Sequence, residues 1–185
     1  MRRSIVPMSL ALAALSTPLA AQSSLAVGLA ATVGDGWQLE GVDVALVRGV
    51  ALGPLRRASL GVRVASFVDQ RAFFSGSRGV VGGVAVAART ATARIAELGH
   101  DPDVTQVGFD VTFEAAGYLA ANSPLPQGSA WLGAALLPGI RVGDPAGGQF
   151  VVLLGPTVFF GRDAGVRALL GVRAEFPLAR AQPAP

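Results

Sequence analysis

The chain has no cysteine and no lysine, a single histidine and only 15% charged residues. Without cysteine it has neither a disulfide framework nor a thiolate metal site. One histidine cannot build a multi-imidazole ligand set. The charge content falls below the roughly 25% usual in soluble domains. Long apolar runs are missing too. The longest charge-free stretch after the N-terminus, residues 115–140, is broken by "NSPLPQGS", a loop signature, so no membrane helix is read there. What is abundant is apolar side chains, 51% of the chain, and glycine, at 24 residues.

The N-terminus reads "MRRSIVPMSLALAALSTPLAAQ". Arg2 and Arg3 precede an apolar stretch from Ile5 to Leu15, and small residues follow at Ala20 and Ala21. This is the pattern of a secretory signal peptide, residues 1–21. Pro7 and Pro18 interrupt a run already shorter than the roughly 20 residues that span a bilayer. Arg2 and Arg3 leave with it, so 13 arginines face 12 acids, net +1. A basic face for nucleic acid is therefore not expected.

The rest of the chain alternates. In "QVGFDVTFE", residues 106–114, Val107, Phe109, Val111 and Phe113 occupy every second place. A two-residue period is a strand with two unlike faces. The same pattern recurs at 24–33, 37–49, 58–68, 79–96, 104–121, 129–142, 149–160 and 164–176. In 37–49 the phase slips, with Trp37 and Leu39 followed by Val42, Val44 and Leu46, and a β-bulge at Gly41 is expected. Residues 88–98 fit strand or helix, and the equally long 104–121 beside them argues for strand. Eight strands in a local meander would leave two open edges unless the sheet closes.

Two closed barrels fit. A soluble one turns its apolar face inward, and a membrane one turns it out. The apolar phase carries no charge over about 7–10 central residues of the better strands, close to the length of a tilted membrane strand. The other phase is mostly Gly, Ala, Ser and Thr. It also holds Arg63, Arg89, Arg141, Arg167 and Arg173 against Asp43, Asp110, Glu114 and Glu175. Five cations and four anions facing one narrow interior would pair there. The expectation is an all-β, closed, antiparallel up-and-down transmembrane barrel over residues 22–176, with a short tail at 177–185. Val107, Phe109, Val111, Phe113, Leu170 and Val172 are expected to face lipid. Trp37, Phe67, Tyr118, Trp131 and Phe160 would ring one rim, and Phe150 and Phe176 the other.

The signal peptide, the eight alternating strands and the terminal "GVRAEF" resemble small eight-stranded bacterial outer-membrane barrels of the outer membrane protein A and X type. The resemblance implies that Gly171, Ala174 and Phe176 form a signal read by the barrel-assembly machinery. It also implies outer-membrane lipid as the surroundings. "PLARAQPAP" follows Phe176, and the connections are shorter than the family's long external loops. A monomer without cofactor, metal or nucleic-acid partner is expected. The alternative is a soluble periplasmic barrel that binds a small hydrophobic ligand.

No reaction is legible. His100 in "GHDPD" sits beside Asp101 and Asp103 but has no second imidazole, and the spacing matches no calcium loop. Asp110 and Glu114 share a face, yet the arginines beside them are the expected partners, not a sugar. "GVVGG" at 79–83 lacks the spacing of a nucleotide loop. The expectation is a non-enzymatic protein, structural or forming a very narrow pore.

Overall fold

The computed structural model describes residues 23–34, 37–69, 78–99, 104–121, 130–161 and 165–178. The predicted signal peptide, the turn at 100–103 and the tail beyond 178 lie outside them. Among the described residues there are nine strands: β1 (Ser23–Val33), β2 (Trp37–Leu52), β3 (Leu55–Asp69), β4 (Arg78–Thr90), β5 (Ala93–Leu98), β6 (Thr105–Ala121), β7 (Ala130–Asp144), β8 (Gly148–Phe160) and β9 (Gly165–Pro177). Residues 88–98 are strand, but the single strand expected at 79–96 is two pieces, parted at Ala91 and Thr92.

Every strand pairs antiparallel with its neighbour, in the order β4-β3-β2-β1-β9-β8-β7-β6-β5. Pairing of β4 with β6 closes the ring, and β5 continues the line of β4 past the first residue of β3. The result is a closed eight-stranded barrel. Paired residues lead once round it from Ser24 through Val47, Ser59, Ala87, Glu114, Ala135 and Thr157 to Arg167. Since Ala168 pairs with Val33, that path returns to β1 at Gly34, ten residues along the chain from its start. Such a stagger tilts eight strands by about 40° and sets an interior just wide enough to be filled by side chains.

Alternation decides the two faces. Val27, Leu29, Val62, Val84, Leu136, Val152, Leu154 and Val172 are exposed on the outer wall. Between them Ser24, Asp43, Arg63, Asp110, Thr112, Glu114, Arg141, Thr157, Arg167 and Glu175 are buried inside. Glu40 also points outward, beside Ser66.

The expected bulge at Gly41 is absent. β2 and β3 stay in register from Trp37 to Gly49, and the irregularity falls between Gly49 and Leu52. Trp37 and Leu39 keep one phase with Asp43 because they also point inward. The apparent slip was a change in what fills the interior, from apolar to charged. The rim of aromatics is corrected in the same way. Trp37, Tyr118 and Trp131 are buried with Phe159, Leu39 and Val81 inside the barrel. Trp37 meets Phe159 edge-on at 5.2 Å between ring centroids, a preferred aromatic geometry. Phe150, Phe160 and Phe176 do face outward. Phe67's side chain lies outside the described residues.

Small residues admit these large ones. A Cβ on Gly83 would come within 2.7 Å of the Tyr118 ring, and one on Gly28 within 2.5 Å of Arg173 Cγ. Both glycines lie directly across a strand pair from the side chain they admit. Gly53 instead serves the β2–β3 turn, with φ of 58°.

Gly82 and Gly83 give a matched test. A Cβ on Gly82 meets nothing within 4 Å. Gly83→Val is expected to displace Tyr118 and destabilise by roughly 1–3 kcal/mol, while Gly82→Val stays within about 0.5 kcal/mol of the parent. Urea midpoints of the folded proteins measure this, and equal losses would contradict the facing.

Candidate functional site

The barrel interior is layered. We call the end that carries Ser23 and Pro177 the near rim and the opposite end the far rim. Towards the far rim sits the aromatic group around Trp37, Tyr118, Trp131 and Phe159. The Arg167 guanidinium lies 3.4 Å over the Trp37 ring, and its Nε donates to the Trp37 carbonyl at 3.3 Å. That contact joins a cation to an aromatic face.

Below the aromatics is a first charge cluster. Arg63 Nη2 is 2.8 Å from Glu114 Oε1 and 3.5 Å from Asp43 Oδ2. Arg173 Nη2 is 2.6 Å from the same Asp43 oxygen and 3.1 Å from Glu114 Oε2. Arg63 Nη1 donates to the Tyr118 hydroxyl at 2.6 Å, which ties this cluster to the aromatics above. Two guanidiniums face two carboxylates, so the cluster is neutral.

A second cluster lies towards the near rim. Arg89 Nη1 and Arg141 Nη1 approach Glu175 Oε2 at 2.9 and 2.8 Å. Arg141 Nε pairs with Asp110 Oδ2, which Arg89 Nε approaches at 3.6 Å. Ser24 donates to Glu175 at 2.6 Å and Thr92 to Asp110 at 3.1 Å. This cluster is also two cations against two anions. The apolar group Leu137, Val151, Leu153 and Leu169 is packed into the same interior.

The break between β4 and β5 serves the second cluster. One extra residue is accommodated at Ala91–Thr92, because Arg89 pairs with Thr112 but Ala93 with Phe109. The orphaned Val111 N–H is taken up by the Thr90 hydroxyl at 3.1 Å. Thr92 turns in over Gly108, where a Cβ would stand 2.5 Å from its methyl. From there its hydroxyl reaches Asp110.

All nine charged residues predicted for the lumen therefore point inward. Eight fall into the two neutral clusters, and Arg167 stacks on Trp37. Sequence reasoning missed Tyr118, Ser24 and Thr92 as hydrogen-bond partners. Ser24 shares the interior phase and was legible in principle, whereas Thr92 is hidden by the break. Phe109, Phe113, Leu170 and Val172 are exposed on the outer wall, and Val107 and Val111 are partly covered. Gly171 points inward, Phe176 is exposed, and Ala174 pairs with Phe150. Leu178 N–H donates to the Ser23 carbonyl at 2.8 Å, extending the β9–β1 seam.

No family model and no curated protein matches this chain. Solved structures similar to this chain include two bacterial β-barrels. The crystal structure of Neisserial surface protein A has 10% identity over 85% of this chain and 97% of its own, with a TM-score of 0.42. The N-terminal β-barrel domain of Pseudomonas aeruginosa OprF has 12% identity over 84% of this chain and 99% of its own, with a TM-score of 0.45. The barrel assignment itself rests on the strand pairings.

Glu114 holds two buried guanidiniums, so Glu114→Ala is expected to destabilise by about 3–5 kcal/mol by stranding Arg63 and Arg173. Glu97 pairs with Arg94 at 2.6 Å on the exposed surface. Glu97→Ala should change stability by no more than about 1 kcal/mol. Chemical unfolding of both variants measures the difference, and a Glu114 variant as stable as the Glu97 one would contradict it.

Proposed function

We propose that this chain is an integral outer-membrane β-barrel with a structural, non-enzymatic role. Its lumen is closed by ion pairs or is at most a very narrow pore. One observation carries the reading: the faces are reversed relative to a water-soluble barrel. Among the described residues, eleven charged, serine or threonine side chains are buried inside, whereas Leu29, Leu46, Val62, Leu119, Leu132, Phe150 and Leu154 are exposed outside. Water would not favour that wall, and a bilayer would.

The outer aromatics suit the same reading. Phe150 and Phe176 are exposed near the near rim and Phe160 near the far rim, where a membrane meets water. In this reading Val107, Phe109, Val111, Phe113, Leu170 and Val172 contact lipid, and Gly171, Ala174 and Phe176 present the assembly signal. Residues 1–21 direct export. The soluble-binder alternative draws no support from the interior. Two spaces there measure about 30 and 10 Å³ and are lined in part by Arg, Asp and Glu side chains. Neither would admit a hydrophobic ligand.

The depth of an introduced charge tests the membrane reading. Leu154, at the middle of β8, is 57% exposed, and Val142, two residues from the end of β7, is 40% exposed. In lipid vesicles, Leu154→Arg should cost roughly 2–4 kcal/mol of folding free energy and Val142→Arg about 0–1. A wild type that stays soluble without detergent, with equal effects at both depths, would overturn the membrane reading. Planar-bilayer recordings should show no large, stable conductance, and one that did would overturn the closed lumen.

An inward-facing arginine at Leu169 would also destabilise the barrel, for a reason unrelated to lipid. Leu169 is 1% exposed and packed with Leu137, Val151 and Leu153.

A further inference from the structure

A groove of about 460 Å³ crosses the outer wall where β1 lies between β2 and β9. Its lining includes Leu29, Ala31, Glu40, Ser66, Leu170 and Val172. Ala31 makes the groove. It is the small residue between Leu29 and Val33 on the outward phase of β1, and its partners across the two strand pairs are Glu40 and Leu170. Leu29, Leu170 and Val172 are exposed beside it. Glu40 is exposed on the same apolar wall. Among the described residues no cation pairs with its carboxylate. The Ser66 hydroxyl donates to its backbone carbonyl, at 3.4 Å, and leaves the side chain unmet.

The stagger of the barrel gives the groove a direction. A row of paired residues climbs towards the far rim as it passes from β9 through β1 and β2 to β3. Leu170, Ala31, Glu40 and Ser66 form such a row, and Leu29 and Val172 pair below it, nearer the near rim. The polar end of the groove therefore lies towards the far rim and the apolar end towards the middle of the wall. An amphiphile in a bilayer lies the same way, with its head at the water interface and its chain inward. The volume falls within the roughly 300–1,000 Å³ of sites for small ligands. A carboxylate on an apolar wall costs free energy unless a cation or donor meets it. An ammonium with N–H groups meets it through a charge-assisted hydrogen bond. A quaternary ammonium has no N–H to give, and an anionic headgroup is repelled.

We propose that this groove binds a phospholipid whose headgroup ends in a primary ammonium. The ammonium sits on Glu40, and an acyl chain runs over Ala31, Leu29 and Val172. The assignment rests on the membrane reading, because the groove opens onto whatever surrounds the outer wall.

The folded protein in a nonionic detergent is given equal amounts of phosphatidylethanolamine, phosphatidylcholine and phosphatidylglycerol with identical acyl chains, and native mass spectrometry measures the lipid retained. Phosphatidylethanolamine is expected to be preferred about tenfold, the effect of one hydrogen bond to a charged group. Glu40→Gln should remove the preference. Ala31→Leu, which fills the groove, should lower phosphatidylethanolamine retention by about the same factor. Val84→Leu, at an exposed outer-wall position outside the groove lining, should change neither. Gel mobility before and after boiling verifies that each variant is folded. Equal retention of the three lipids, a preference that survives in the folded Glu40→Gln variant, or full retention by the folded Ala31→Leu variant would overturn the proposal. So would a Glu40-dependent dimer that excludes lipid. Any of these results in a protein that folds only with detergent leaves the membrane reading standing, whereas a wild type soluble without detergent overturns both.

Discussion

A closed barrel of eight strands encloses too little space for water to solvate nine inward-facing charges one by one. Each ionised side chain inside must therefore find its counter-charge within the barrel. That constraint governs the molecule. It explains why eight of the charges fall into two neutral clusters, each with two guanidiniums and two carboxylates. It also explains the neutral helpers. Ser24, Thr92 and Tyr118 each bring a hydroxyl to a charged group that has more hydrogen-bonding capacity than its ionic partners satisfy.

Packing follows from the same constraint. An arginine crossing a narrow interior needs a neighbour with no side chain, and Gly28 opposite Arg173 provides one. The aromatic layer towards the far rim uses the same device, with Gly83 opposite Tyr118. At the near rim the β4–β5 break turns Thr92 inward and carries Arg94 outward. A single inserted residue thus serves a buried cluster.

Much of this was legible in the chain because a strand's period is two. Once 106–114 is read as alternating, Asp110 and Glu114 must share one face and Phe109 and Phe113 the other, whatever the solvent. The strand order and the closure follow from short connections and from the cost of free edges. What alternation does not reveal is which inward residues meet across the barrel, because that depends on a ten-residue stagger accumulated over eight pairings. Trp37 and Leu39 misled for a related reason. Apolar side chains belong on either face of a barrel whose interior is partly apolar, so hydrophobicity alone shifted them to the wrong side. The break at Ala91–Thr92 left no mark in a stretch rich in alanine, where both faces look alike.

The central claim is that the apolar wall meets acyl chains while the charges face inward. The absence of cysteine in the native chain makes single-cysteine labelling clean. A small fluorophore at Phe113→Cys, Val152→Cys or Leu170→Cys, all on the exposed outer wall, reports its surroundings after folding into vesicles. The account predicts strong quenching by brominated acyl chains and protection from aqueous iodide at all three positions. Ready quenching by iodide, with no response to brominated lipid, would contradict it.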